Sequence, residues 1–169
     1  MDALEAIFSR RSIRLYTSKP LSRDVINELL KAAMSAPSAG NERPWHFILM
    51  TERALLDEIP KFHPYAGMLK QAPAAILVCG DRSLEKHPGC WVLDCAAATM
   101  SLLLAAHAKG LGSVWCGVYP TEDRVENFKK LLRLPEHIVP FSLLPLGFPD
   151  ERKQAPDRFD GSRVHDNRW

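Results

Sequence analysis

Apolar positions recur along the chain with two different periods, and the changes of period mark out the elements. Leu4, Ile7 and Phe8 share one face of a short helix over 2–9. Val25, Ile26, Leu29, Leu30 and Ala33 keep the helical period over 22–35, and Ser22 stands where it can cap that helix. The runs WHFILMT (45–51) and AAILVCG (74–80) predict strands. The second run lacks polar alternation, as expected when both faces of a strand are covered. Thr51 is placed to cap a short helix ending at Pro60, residues 61–71 fit neither period, and 81–89 reads as a polar loop. Residues 91–109 form the longest helix, apolar nearly all round and closed by Gly110. A third strand is predicted over 113–119, a helix capped by Thr121 runs to about Arg133, and a fourth strand over 139–147 is interrupted at Pro145. Strands alternating with helices imply one α/β or α+β sandwich domain over 1–169. An all-apolar helix in so small a chain needs cover on several sides and points to a dimer interface.

Composition narrows the possibilities. Hydrophobic residues make up 46% and charged residues 25%, a globular balance, and 22 basic against 20 acidic residues leave a net charge of +2. That argues against a nucleic-acid partner. The apolar helix is short and carries polar residues, so no membrane span is expected, and Asp2 and Glu5 break any signal-peptide pattern. Cys79, Cys90, Cys95 and Cys116 form no CxxC pair, which fits a reducing, cytoplasmic setting. His87 and Cys90 have a ligand-like spacing but no second pair, so no metal site is expected.

Three segments could carry chemistry. In Arg10-Arg11-Ser12-Ile13-Arg14, guanidinium forks and a hydroxyl match a phosphate, and an extended path sends Arg10, Ser12 and Arg14 to one side and Arg11 to the other. A solvated basic turn would look the same. Pro37 to Pro44 combines small residues with Ser38 and Asn41, suited to a flat ligand or to an ordinary loop. Gly112 to Gly117 flanks a strand with glycines that expose backbone, but no dinucleotide fingerprint follows.

Together and in order, these pieces resemble the nitroreductase family of FMN proteins. RRSIRLY is similar to its RRSIRxF/Y opening, PSAGNERPWHFILM to PSxxNxQPWxFIVV, GLGSVWCG to GLGTxWxG, PLGFPDE to an xxGxP segment and PDRFDGSRVHDNRW to KxRxPLxEVVHxxxW. The resemblance implies an α+β sandwich with a mostly antiparallel central sheet flanked by helices, and a homodimer with FMN at its interface. It implies that Arg10 and Ser12 hold the phosphate and ribityl end, Arg11 acts mainly through its backbone, and Arg14 lies near the pyrimidine edge. Pro37, Ser38 and Asn41 would reach the flavin, some from the partner chain. Trp115, Cys116 and Gly117 would approach it with backbone groups, and Arg158 would return to the phosphate. Glu42 and Arg43 depart from the family's small residue and Gln, and 159–162 departs from its Pro-Leu-Glu-Glu.

The implied activity is a ping-pong transfer through flavin N5 from NADH or NADPH to an electron-poor small-molecule acceptor, such as a nitroaromatic or quinone. Arg14 would be the catalytic cation that stabilises charge on the reduced flavin. Two other readings stand beside it: an FMN-binding protein that stores or senses flavin without turnover, and a structural dimer that binds nothing. His63 and Tyr65 fit either a substrate lid or packing.

Overall fold

The computed structural model describes all 169 residues. In chain order the elements are α1 (Ala3–Ser9), α2 (Arg23–Met34), β1 (Trp45–Met50), α3 (Arg53–Glu58), β2 (Ala74–Asp81), α4 (Trp91–Ala108), β3 (Gly112–Ser113), β4 (Cys116–Gly117), α5 (Glu122–Leu132) and β5 (Ile138–Gly147). The strands form one antiparallel sheet in the order β1-β2-β5-β3, with β4 also on β5.

Strand β2 is buried along its whole length, and its alternation sorts the core into two layers. Ala75, Leu77 and Cys79 face α3, α5 and the turns of 59–72, around Leu56, Leu69 and Phe128. Ile76 and Val78 face α2 and α4, around Leu29, Cys95, Ala98 and Leu102. Helices on both faces explain why β2 reads as a continuous apolar run although every pairing is antiparallel.

Ser22 caps α2 as expected, its hydroxyl accepting the Val25 N–H at 3.3 Å. Other expectations need correction. Glu52, not Thr51, precedes α3 and makes no side-chain cap. Residues 113–119 are not one strand. They form two two-residue pieces, because the chain leaves the sheet at Val114 and Trp115 and returns at Cys116. Strand β5 runs unbroken through Pro145. Pro140 sits at a register shift beside Val78/Cys79, where a missing N–H is tolerated.

Helix α4 is long and apolar enough, by length and composition alone, to cross a membrane. Here it covers the sheet with Trp91, Cys95, Ala98, Leu102 and Ala106, and Thr99 bonds Ser142 of β5 at 2.8 Å. Its other face leaves Leu93 69% and Met100 36% exposed. Helix α1 buries only Ala6, while Leu4, Ile7 and Phe8 point away from the chain's own core.

Candidate functional site

The basic stretch after α1 is extended and lies beside β3. Ser12 and Ser113 form a parallel bridge, with the Ile13 N–H on the Ser113 carbonyl at 3.0 Å. Gly112 makes this approach possible, since a Cβ there would stand 2.6 Å from Ile13. The start of the C-terminal segment holds the other edge. The Asp150 N–H donates to the Leu15 carbonyl, and the Glu151 carboxylate accepts the N–H groups of Arg14 and Leu15. The Arg14 N–H is the main reason that Glu151 is held below the usual carboxylate range. Lys153 completes the clamp on the Ser12 carbonyl at 2.8 Å.

This clamp satisfies the backbone and leaves the guanidinium groups of Arg10 and Arg14 without carboxylates. No ion pair in the chain involves Arg10, Arg11, Arg14 or Arg158. The buried Arg10 Nε has no hydrogen-bond partner. Burial and the neighbouring charges of Arg11 and Arg158 all push the Arg10 pKa down. An arginine that is half-buried, unpaired and crowded by like charge is a site for an anion. Arg11 is different. Its guanidinium bonds the carbonyls of Phe8, Arg10 and Gln154, so its side chain is occupied locally. Arg158 approaches Arg10 although the residues from 152 onward are exposed.

At the other end of the stretch, Arg14 opens onto a cavity of about 440 Å³. Val114, Trp115, Cys116 and Gly117 form one wall, and Pro64, Tyr65, Gly67 and Met68 another. Trp115 leans edge-on against Phe141, with ring centroids 5.6 Å apart. The Cys116 thiol donates to the Tyr65 carbonyl at 3.4 Å, and burial pushes it up to about 11, so it is no thiolate nucleophile.

The ambiguous 61–71 segment is the second wall, and His63 fixes it. His63 is fully buried; its Nδ1 accepts the Tyr65 N–H at 3.3 Å, which assigns the proton to Nε2, which donates to the Gly117 carbonyl at 3.0 Å. Burial holds its pKa below the usual histidine value. Arg124 donates to the same carbonyl at 2.8 Å and lies over the Tyr65 ring. His63 is thus the anchor and Tyr65, 68% exposed, the lining residue. Sequence spacing could not distinguish these roles.

A serine and a histidine also meet at the C-terminal end of α4. Ser9 Oγ donates to the Glu5 carbonyl and therefore accepts from His107 Nε2 at 2.7 Å, which leaves no base to activate the hydroxyl.

The Pro37–Pro44 loop is not at this cavity. The Asp94 carboxylate in the first turn of α4 accepts the Ala39 N–H at 2.9 Å, so the loop sits at the N-terminal end of that helix. The Ser9–His107 contact places the basic stretch at its C-terminal end. Thirteen helical steps lead from Asp94 to His107, about 20 Å. Pro37, Ser38 and Asn41 are therefore apart from Arg10 within one chain, and none of them lines the cavity onto which Arg14 opens.

The nitroreductase family model matches residues 7–148. This chain belongs to the nitroreductase family. A protein of Methanothermobacter thermautotrophicus with the provisional name NADH dehydrogenase/NAD(P)H nitroreductase is 54% identical over 169 residues, covering 100% of this chain and 88% of its own. The crystal structure of a protein of the same provisional name from Parabacteroides distasonis superposes with a TM-score of 0.94 at 43% identity, covering 98% of each chain. The crystal structure of a protein provisionally named a nitroreductase from Desulfovibrio desulfuricans, in complex with FMN, superposes with a TM-score of 0.86 at 26% identity, covering 100% of this chain and 99% of its own. The α+β architecture inferred from the motifs is that of the family.

Proposed function

We propose that this chain is an FMN-dependent oxidoreductase that passes electrons from NADH or NADPH to an electron-poor acceptor of the nitroaromatic or quinone class, working as a homodimer. The observation that carries the reading is the unpaired, half-buried Arg10 guanidinium at one end of an extended segment whose other end, Arg14, lines an open cavity. These residues fit FMN. Arg10, Ser12 and Arg158 suit its phosphate and ribityl end, Arg11 contributes backbone, and Arg14, Trp115, Cys116 and Gly117 suit its ring. When bound, FMN supplies a two-electron carrier between a reduced nicotinamide and the acceptor.

The chain's own residues do the rest. Arg14, without a carboxylate partner, offers a cation to the negative charge that reduction places on the ring's pyrimidine edge. His63 and Arg124 hold the Gly117 carbonyl and so fix the wall against which the ring would rest. Tyr65 and Met68 leave the opposite side of the cavity open to a flat molecule. Two features support the dimer: the exposed stripe of α4 at Leu93 and Met100, and the distance between the 37–44 loop and the basic stretch. A two-fold pairing along α4 would bring one chain's loop, with Pro37, Ser38 and Asn41, toward the partner's flavin.

Arg14→Ala is expected to lower the flavin's two-electron midpoint potential by about 30 mV, the equivalent of a tenfold change in the relative affinity for the two redox forms. An unchanged potential in a variant that still holds FMN rules out this role. The function itself is tested by the absorbance spectrum of the purified protein with added FMN, followed by NADH and NADPH under anaerobic conditions. Bound yellow flavin that bleaches identifies the donor. Bound flavin that stays yellow favours a storage or sensing role, and absence of binding overturns the proposal.

A further inference from the structure

The 37–44 loop has an unusual backbone. Gly40, Asn41 and Arg43 all take positive φ, at +52°, +54° and +46°. Glycine and asparagine tolerate this conformation, but arginine adopts it only when its surroundings impose it. A Cβ at Gly40 would stand 2.5 Å from the His87 ring, so the 82–90 segment presses on the loop from outside.

Two carboxyl groups beneath the loop supply its anchors. Glu42 Oε2 accepts the N–H groups of Lys86 and His87 at 2.7 and 3.2 Å, and Asp94 Oδ1 accepts that of Ala39. Glu42 is 7% and Asp94 5% exposed. Each has a second, buried oxygen that meets no N–H or hydroxyl donor: Glu42 Oε1 and Asp94 Oδ2. The two carboxyl groups neighbour each other. Ionised carboxylates only accept hydrogen bonds, so one proton held between the two groups would satisfy both orphaned oxygens. No lysine or arginine makes an ion pair with either group that could replace it. Of the other titratable groups near the pair, the His87 ring favours the charged form of both, and the Cys95 thiol lies behind Asp94 on α4.

We propose that Glu42 and Asp94 share one proton, and that this acid–carboxylate bond is the clasp that positions the 37–44 loop for the flavin site. The consequence for flavin rests on the function proposed above, whereas the clasp stands on its own geometry. The proton belongs to Asp94. Burial and the neighbouring Glu42 push Asp94 up, while the Lys86 N–H above all holds Glu42 down. Asp94, raised by folding, stabilises the fold at low pH and loses that effect as pH rises through its raised value. Glu42, lowered by folding, stabilises it above the ordinary glutamate range and loses that effect as pH falls through its lowered value. The clasp is therefore firmest between these two limits.

Asp94→Asn separates the proton from the bond, because the amide of that variant can accept from Ala39 and donate to Glu42 at any pH. The expected result is a loss of the alkaline limb: the wild-type unfolding midpoint falls as pH rises through the Asp94 titration, and that of D94N does not. The infrared carbonyl band of a protonated carboxylic acid, present in the wild type above the ordinary carboxylate range and below the Asp94 titration, disappears in D94N. The E42Q/D94N double variant faces one amide N–H₂ with another, so its midpoint falls by more than the sum of the single changes. The FMN dissociation constant stays near wild type in D94N and rises about tenfold in D94A, which leaves Glu42 unpaired. Superimposable pH profiles for wild type and D94N, or an unchanged infrared band, overturn the clasp. A pH profile and band as described in a protein that binds no FMN uphold the clasp and overturn the flavin function. FMN binding unaltered in D94A, with the pH difference intact, overturns only the loop's role at the flavin.

Discussion

Replacing Arg10 with Gln is expected to raise the FMN dissociation constant about a hundredfold while leaving the fold intact. The Arg10 guanidinium is half-buried, its Nε meets no acceptor, and its nearest charges are Arg11 and Arg158, which repel it. In the free protein this crowding is unfavourable; a phosphate dianion placed among the three arginines reverses the sign of every one of those interactions. Truncating one partner of a buried, hydrogen-bonded charge pair typically costs 2–5 kcal/mol, and about 3 kcal/mol corresponds to the hundredfold loss. The same argument gives the opposite sign for the free protein: without Arg10 the cluster repels itself less, so the unfolding midpoint without FMN is unchanged or higher. Arg158→Gln follows in the same direction with a smaller effect, about tenfold, because that side chain is solvent-exposed and screened. Titration of FMN against each variant, followed by absorbance or flavin fluorescence, measures both effects. An R10Q affinity within threefold of wild type would place the phosphate elsewhere.

Legibility in the sequence followed the range of the interaction. The helix period of 22–35, the Ser22 cap and the buried run of β2 depend on neighbours within a few residues, and the structure has them where the pattern places them. The excursion of Val114 and Trp115 from the sheet was invisible, because it depends on what β5 offers some thirty residues later. The apolar face of α1 was legible as a face, but not as one its own chain leaves uncovered. Within the site, the order Arg10, Arg11, Ser12, Arg14 already implied an alternation of sides, and the local bonds of the Arg11 guanidinium agree with it. The anchoring role of His63 was not legible, because its partner Gly117 lies 54 residues away and only the fold brings them together. Glu42 stood out in the sequence only as a departure from the family motif; its meaning depends on Asp94, on a different element.

Charge placed on the exposed stripe of α4 is expected to separate the protomers and to release FMN in the same step. Leu93 and Met100 lie seven residues apart on one face, and they remain exposed although the opposite face, with Trp91, Cys95, Ala98, Leu102 and Ala106, is packed into the core. In a two-fold pairing along α4 each substitution occurs twice, so Met100→Glu buries two carboxylates without partners. An unpaired buried charge costs several kcal/mol, enough to raise the dimer dissociation constant by three orders of magnitude or more. The loss of FMN follows from geometry. The loop carrying Pro37, Ser38 and Asn41 is tied to α4 at Asp94, about 20 Å along the helix from the end beside Arg10, so in the proposed dimer one chain alone would present only part of the site. Leu93→Glu acts near the loop and Met100→Glu in the middle of the helix, and both are expected to give a folded monomer with little bound flavin. Sedimentation velocity gives the mass, circular dichroism the fold, and the flavin-to-protein absorbance ratio the occupancy. A monomeric variant that keeps wild-type FMN affinity would show that the single chain forms the complete site, and the 37–44 loop would then need another role.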